Sequence, residues 1–176
     1  MNWYLSWVSA NPLLSAAVQF GILGPLGELI SVLVSKRKIS DLGRPWQIGA
    51  KILAWALLGV IIKYGFAGMK GFVDALIDKG LLPRAGHGTL AWALMVSVFT
   101  NILFGPQMMA FHRVEDNLIL GHKGFNGIQK AWLTLLWFWI PAHTVTFILP
   151  SDFQIGLASL WSVALGVIMG LTSVKK

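Results

Sequence analysis

Five stretches of the chain, 12–35, 46–69, 89–111, 127–149 and 152–174, are each long and apolar enough to cross a bilayer, and only short connections lie between them. A hydrocarbon core is spanned by about 20 mainly apolar residues in a helix. In lipid every backbone polar group must be satisfied internally, which leaves helices and closed barrels as the spanning structures. None of the five stretches alternates with period two as a barrel strand does. The expectation is an all-α integral membrane protein: a single domain over 1–176, forming a compact bundle of four to five transmembrane helices with short interfacial helices. Composition agrees, since 56% of the residues are hydrophobic and 12% charged, against roughly 45–50% and 25% in soluble domains. This excludes a disordered chain and argues against a soluble enzyme. Only Pro150 and Ser151 separate the last two stretches, so a four-span arrangement with one tilted or incomplete helix stays open.

The charges are few but lopsided, 14 Lys and Arg against 7 Asp and Glu. In a soluble protein that excess would point to nucleic acid. In a membrane protein it marks loops retained on the cytoplasmic side. Five spans place Lys36, Arg37, Lys38, Arg44, Lys51, Arg113, Lys123, Lys130, Lys175 and Lys176 toward one side and Lys63, Lys70, Lys79 and Arg84 toward the other, ten against four. The first side is then cytoplasmic, or matrix-facing in an organelle, with the N-terminus outside and the C-terminus inside. Expected partners are membrane lipids and a small solute or ion, not nucleic acid. A homo-oligomer is also open, because five short helices enclose little space. The expected location is a bacterial cytoplasmic membrane or an organelle inner membrane. There is no cysteine, hence no disulfide framework or thiolate metal site.

Residues before Pro12 lack the basic stretch and apolar run of a cleavable signal. They place Trp3, Tyr4 and Trp7 together, as an interfacial anchor would. A second interfacial helix is expected over 70–82, where Phe72, Val73, Leu76 and Ile77 recur at helical spacing opposite Lys70, Asp74, Asp78 and Lys79.

Within the spans, small residues form two stripes: Ala17, Gly21, Gly24 and Gly27 in the first, and Ala158, Ser162, Gly166 and Gly170 in the fifth. Such stripes allow close helix approach; a dimer interface or a glycine-thinned pore wall is the functional alternative. Glu28 is more informative, because a carboxylate inside a span costs roughly 2.5–3.5 kcal/mol on insertion scales and normally faces protein or water. Glu28 lies seven residues before Ser35 and Lys51 five after Trp46, so antiparallel neighbours bring the two to similar depth. An ion pair is expected, which either pins two helices or lines a polar path. Gln19, Asn101 and Gln107 are candidates for interhelical hydrogen bonds, and Lys63 is close enough to its helix end to snorkel.

His112, Arg113, Glu115 and Asp116 follow Gly105-Pro106 at the end of the third span, with His112 and Asp116 on one helical face. Imidazole and carboxylate can serve acid–base or metal chemistry. No second histidine stands at ligand spacing, however, and charges at a helix exit are ordinarily solvated, so no cofactor, metal or catalytic residue is expected. His143, beside Pro141 and followed by Thr144 and Thr146, stands in mid-span next to a proline-freed carbonyl. It is read either as a structural hydrogen bonder or as a polar-path residue. Phosphate-cradling glycine loops, nucleophile–base pairs and two-histidine zinc motifs are missing from the sequence.

The stretch Asn11-Pro12-Leu13-Leu14, then Gly21, Gly24, Gly27-Glu28 and Ile30-Ser31, resembles the opening helix of the Mpv/PMP family of small peroxisomal and mitochondrial inner-membrane proteins. Asp41 and Arg44 match its aspartate and arginine before the second helix, and Tyr64 the end of its tryptophan-tyrosine pair. Asp78 to Pro83 is similar to its aspartate-glutamine to proline segment. Trp139, Pro141, Phe147 and Pro150 resemble its late signature. Departures are Glu28 for aspartate, Lys79 for glutamine, Thr146 for the signature asparagine, Gln154 near the position of its arginine, and a missing late tryptophan-asparagine pair. The run Gly105-Pro106, His112-Arg113 and Asp116 also falls on the third span where the family carries its like on the second. A divergent or prokaryotic member fits this gapped match best. The resemblance implies a compact helical protein passing small solutes, no catalytic residues, and Glu28, Arg44 and Asp78 as polar-path positions.

The expectation is therefore a small channel or transporter, not an enzyme, with Glu28, Lys51, Arg44, Asp78 and His143 along its route. The alternative is a non-transporting scaffold or assembly subunit acting through its helix-packing faces. A membrane-embedded enzyme using His112 and Asp116 ranks third.

Overall fold

The computed structural model of the chain describes residues 2–173. Met1, Val174, Lys175 and Lys176, which the sequence assigns to the N-terminal anchor, the last span and the basic side, lie outside the described residues. Every regular element described is helical. A short α1 (Asn2–Ala10) precedes α2 (Pro12–Val34), and a 3-10 turn at Ile39–Leu42 leads to α3 (Pro45–Asp78). Next, α4 (Leu90–Phe99) runs through a π turn into α5 (Gly105–Leu120), and α6 (Ile128–Thr134) through a second π turn into α7 (Ile140–Ile148). The chain ends in α8 (Ser151–Ser173). Counting each helix pair joined by a π turn as one, five helices are long and apolar enough to cross a membrane.

The sequence explains most of the boundaries. Proline at the first position opens α2 and α3, where its missing N–H costs nothing. At the start of α3, Gln47 accepts a 2.7 Å hydrogen bond from the Arg44 amide, and its Nε2 donates to the Ile119 carbonyl at 2.9 Å, tying α3 to the last turn of α5. Gly121 closes α5 in the left-handed conformation at φ 73°. Leu149 leaves α7 extended ahead of Pro150, and the Gln154 side chain caps its carbonyl at 2.8 Å. The π turns, Thr100–Phe104 and Leu135–Trp139, also have a local cause. Each stands just before a proline, Pro106 or Pro141, which breaks the i to i−4 ladder. The Gly105 and Ile140 amides instead reach the Thr100 and Leu135 carbonyls, five residues back.

The second interfacial helix expected over 70–82 is corrected: residues 70–78 are the last turns of α3, and 79–82 are turn and bend. No residue near Lys70 stops a helix, and continuing one adds a bond per residue fixed. The apolar face read as lying on lipid packs on the protein. Val73 is fully buried in the core, and the Phe72 ring stands edge-on 5.4 Å from Phe99. Its polar face is partnered as well, with Lys70 Nζ 3.1 Å from Gln154 Oε1 and Asp74 Oδ1 accepting from Trp92 Nε1 at 2.7 Å. The N-terminal segment is helical as expected, and Trp3 is exposed, but Tyr4 turns inward. Its hydroxyl donates to Gln19 Oε1 at 2.9 Å, and burial, with the Asp152 charge second, raises the phenol pKa above its ordinary value.

Both small-residue stripes face helices of the same chain. A Cβ on Gly166 would overlap the Gly27 carbonyl, and one on Gly170 would stand 2.9 Å from the Ser31 carbonyl, so α8 lies backbone to backbone on α2. On its other flank α2 meets α3. There Gly21 stands against Ala56, Gly24 against the Trp55 ring, and Gly59 of α3 against the Ala16 carbonyl. The apolar core, with Phe20, Phe66, Val73, Trp92, Val96, Phe147 and Ile155, occupies the half of the bundle near the loops at 79–89 and 149–150. The other half, toward the basic loops at 35–44 and 121–127, is built differently.

Candidate functional site

In that second half Glu28 of α2, Lys51 and Trp55 of α3, and His112, Glu115 and Asp116 of α5 come together. Lys51 Nζ lies 2.6 Å from Glu28 Oε2, the ion pair expected from matching depths, and Trp55 Nε1 donates to Glu28 Oε1 at 2.7 Å. Lys51 and Trp55 are four residues apart and so share a face of α3. Gly24 makes room for the indole, since a Cβ there would overlap the ring. Beyond it, the Trp55 ring packs on the His112 imidazole with centroids 4.5 Å apart. One indole therefore holds both the carboxylate of α2 and the imidazole of α5.

His112 stands between two carboxylates of its own helix. Its Nδ1 is 3.8 Å from Glu115 Oε2 and its Nε2 is 3.8 Å from Asp116 Oδ2, both longer than a hydrogen bond. His112 Nδ1 and Glu115 Oε2 are buried without a hydrogen-bond partner. One ligand atom from each of Glu28, His112 and Asp116 lies within 4.8 Å of the others, a donor set compatible with a metal ion. The expectation that charges after residue 111 are merely solvated is corrected. The helix continues to Leu120, and the side chains of His112, Glu115 and Asp116 are only 27%, 12% and 23% exposed.

The remaining sequence candidates fall elsewhere. Arg44 is exposed at the start of α3. Asp78 is exposed at the far end of the same helix, 27 residues beyond Lys51, or about 40 Å at 1.5 Å per residue. A single 34-residue helix carries these polar positions past both ends of the apolar zone, so they do not form one cluster. His143 lies in a second polar place at mid-bundle, between the two π turns. Its Nδ1 is 3.1 Å from Asn101 Nδ2, which also donates to the Ser97 carbonyl at 2.8 Å. The Phe66, Trp139 and Phe147 rings surround it at 5.2, 5.0 and 6.0 Å. The carbonyl of Ile140, just before the proline, accepts from the Ser97 and Thr144 hydroxyls, both at 2.7 Å. Asn101 Oδ1, Thr100 Oγ1 and Trp139 Nε1 have no hydrogen-bond partner.

Trp55 has no place among the sequence candidates, and His112, Glu115 and Asp116 form a cluster there separate from Glu28 and Lys51. The signal that joins them is depth: His112 lies near the basic-side end of its helix, as Glu28 and Lys51 do of theirs. No family model, curated protein or solved structure matches the chain.

Proposed function

We propose that this chain is a small membrane transporter or channel, in which the Glu28–Lys51–His112–Asp116 cluster is the polar station nearest the cytoplasmic or matrix face. The observation carrying this reading is the convergence of ionisable groups from three helices, α2, α3 and α5, within a largely apolar bundle. Each carboxylate within a span costs roughly 2.5–3.5 kcal/mol. The bundle has glycine contacts along α2 to hold its helices together without them. Rows of charged side chains are what select ions in pores and transporters. Lys51 pairs with Glu28, Trp55 fixes its orientation, and the loosely held His112–Asp116 pair is the part free to engage a solute. The resemblance to the Mpv/PMP family points the same way, with Glu28 standing where that family carries aspartate.

The scaffold alternative rested on small-residue faces as docking surfaces. Gly27, Gly166 and Gly170 are covered by neighbours within the chain, which favours the transporter reading. Purified protein reconstituted in liposomes with a panel of small solutes and ions tests it. Flux above empty liposomes, reduced at least tenfold in Asp116→Asn with folded content unchanged, is the expected result. No flux for any solute, with a specific partner subunit recovered instead, would return the scaffold to first place.

A further inference from the structure

We propose that Glu28, His112 and Asp116 bind a divalent transition-metal cation, with Glu115 supporting the histidine from behind. As a cargo site this rests on the transporter reading above; as a binding site it is tested without flux. Four observations carry it. First, the three ligand atoms come from two helices and lie within 4.8 Å of one another. With metal–ligand bonds of roughly 2.0–2.2 Å, small side-chain shifts close that set around one ion. Second, the imidazole is placed as ligating histidines are. Such a histidine presents one nitrogen to the metal and gives its other N–H to a carboxylate. His112 turns Nε2 toward Asp116 and Nδ1 toward Glu115 Oε2. The latter two atoms are both buried and unpartnered at 3.8 Å, a gap that closes to a hydrogen bond when the ring is drawn onto an ion.

Third, the ligands are held from outside. Trp55 fixes Glu28 through a 2.7 Å hydrogen bond and covers the imidazole with its ring. Fourth, carboxylates outnumber basic side chains: Glu28, Glu115 and Asp116 gather around the His112 imidazole, with Lys51 and Arg113 beside them. One imidazole with carboxylate oxygens suits zinc, iron, cobalt or manganese better than copper(I), which prefers the softer thiolate and thioether ligands. Three protein ligands leave coordination positions open for water or an exchanging ligand.

The test uses the full chain in detergent micelles, stripped with a chelator and titrated with Co²⁺ by visible absorption and with Zn²⁺ by calorimetry. One saturable site per chain is expected, lost in His112→Ala and Asp116→Asn and kept in Asp78→Asn at the far end of α3. Glu115→Gln preserves volume and an acceptor, so it folds even where His112→Ala does not, and it should weaken binding about 10-fold to 100-fold. No saturable binding by the unaltered chain, or binding unchanged in every variant that folds, would overturn the site. Binding without liposome flux keeps the site and removes the cargo role. Flux without binding removes the site and leaves the transporter reading intact.

Discussion

Lys51 is buried in the chain's polar half, its side chain 9% exposed, and its direct ion pair is with Glu28. Glu28→Gln would keep the acceptor for Trp55 but take away the carboxylate in contact with that ammonium, leaving Asp116 as a more distant neighbour. A loss of about 3 kcal/mol is expected, toward the low end of what breaking a buried pair costs, because Glu28 retains 23% exposure. Glu28→Gln combined with Lys51→Met should recover most of the loss, since an absent charge needs no partner. Thermal unfolding of the four proteins of that cycle in one detergent measures the coupling, and additive losses would show that the pair is not held as described. The pair was legible in the sequence because two helices joined by a short loop fix relative depth by counting. Trp55 was not, since its role depends on which way α3 is rotated and on the space left by Gly24, and neither follows from spacing alone.

At the scale of the helix, composition sets the number of spans and their approximate centres, but not where each helix stops. Bilayer thickness suggested an end near Met69, whereas the chain stops only where backbone chemistry tells it to, at Lys79 and at Gly80 with φ 71°. The same reasoning accounts for the third span, which continues past Phe111 to Leu120 because nothing before Gly121 interrupts it. Both overruns mattered, since they carry Asp74 to Trp92 and His112 to Glu28. The π turns were not legible as such; Pro106 and Pro141 signalled a disturbed ladder, but a kink satisfies that signal equally well. Contacts between α2 and α8 give the sharpest test at this scale. Gly166→Val would drive a branched side chain into the Gly27 backbone, which cannot rotate away, and a loss of about 1–3 kcal/mol is expected. The same change at Gly68, where a Cβ meets nothing within 4 Å, should be tolerated, and unfolding midpoints of the two variants compare them directly.

For the whole molecule, the division into an apolar half and a polar half follows the charge asymmetry along the chain. The core residues lie toward the loops poor in Lys and Arg, and the ionisable cluster lies toward the basic loops. If five helices cross the membrane, reporters fused to the two ends will report opposite sides, with the C-terminal one in the cytoplasm or matrix. Signals from the same side would mean four spans. The connection between α7 and α8 adds a consequence for biogenesis. Only Leu149 and Pro150 join these helices, and neither carries a charge that could be retained on or pushed across a membrane face. During synthesis, α6 through α8 would therefore have to enter as one hairpin, oriented by Lys123 and Lys130 ahead of it rather than by anything at its tip.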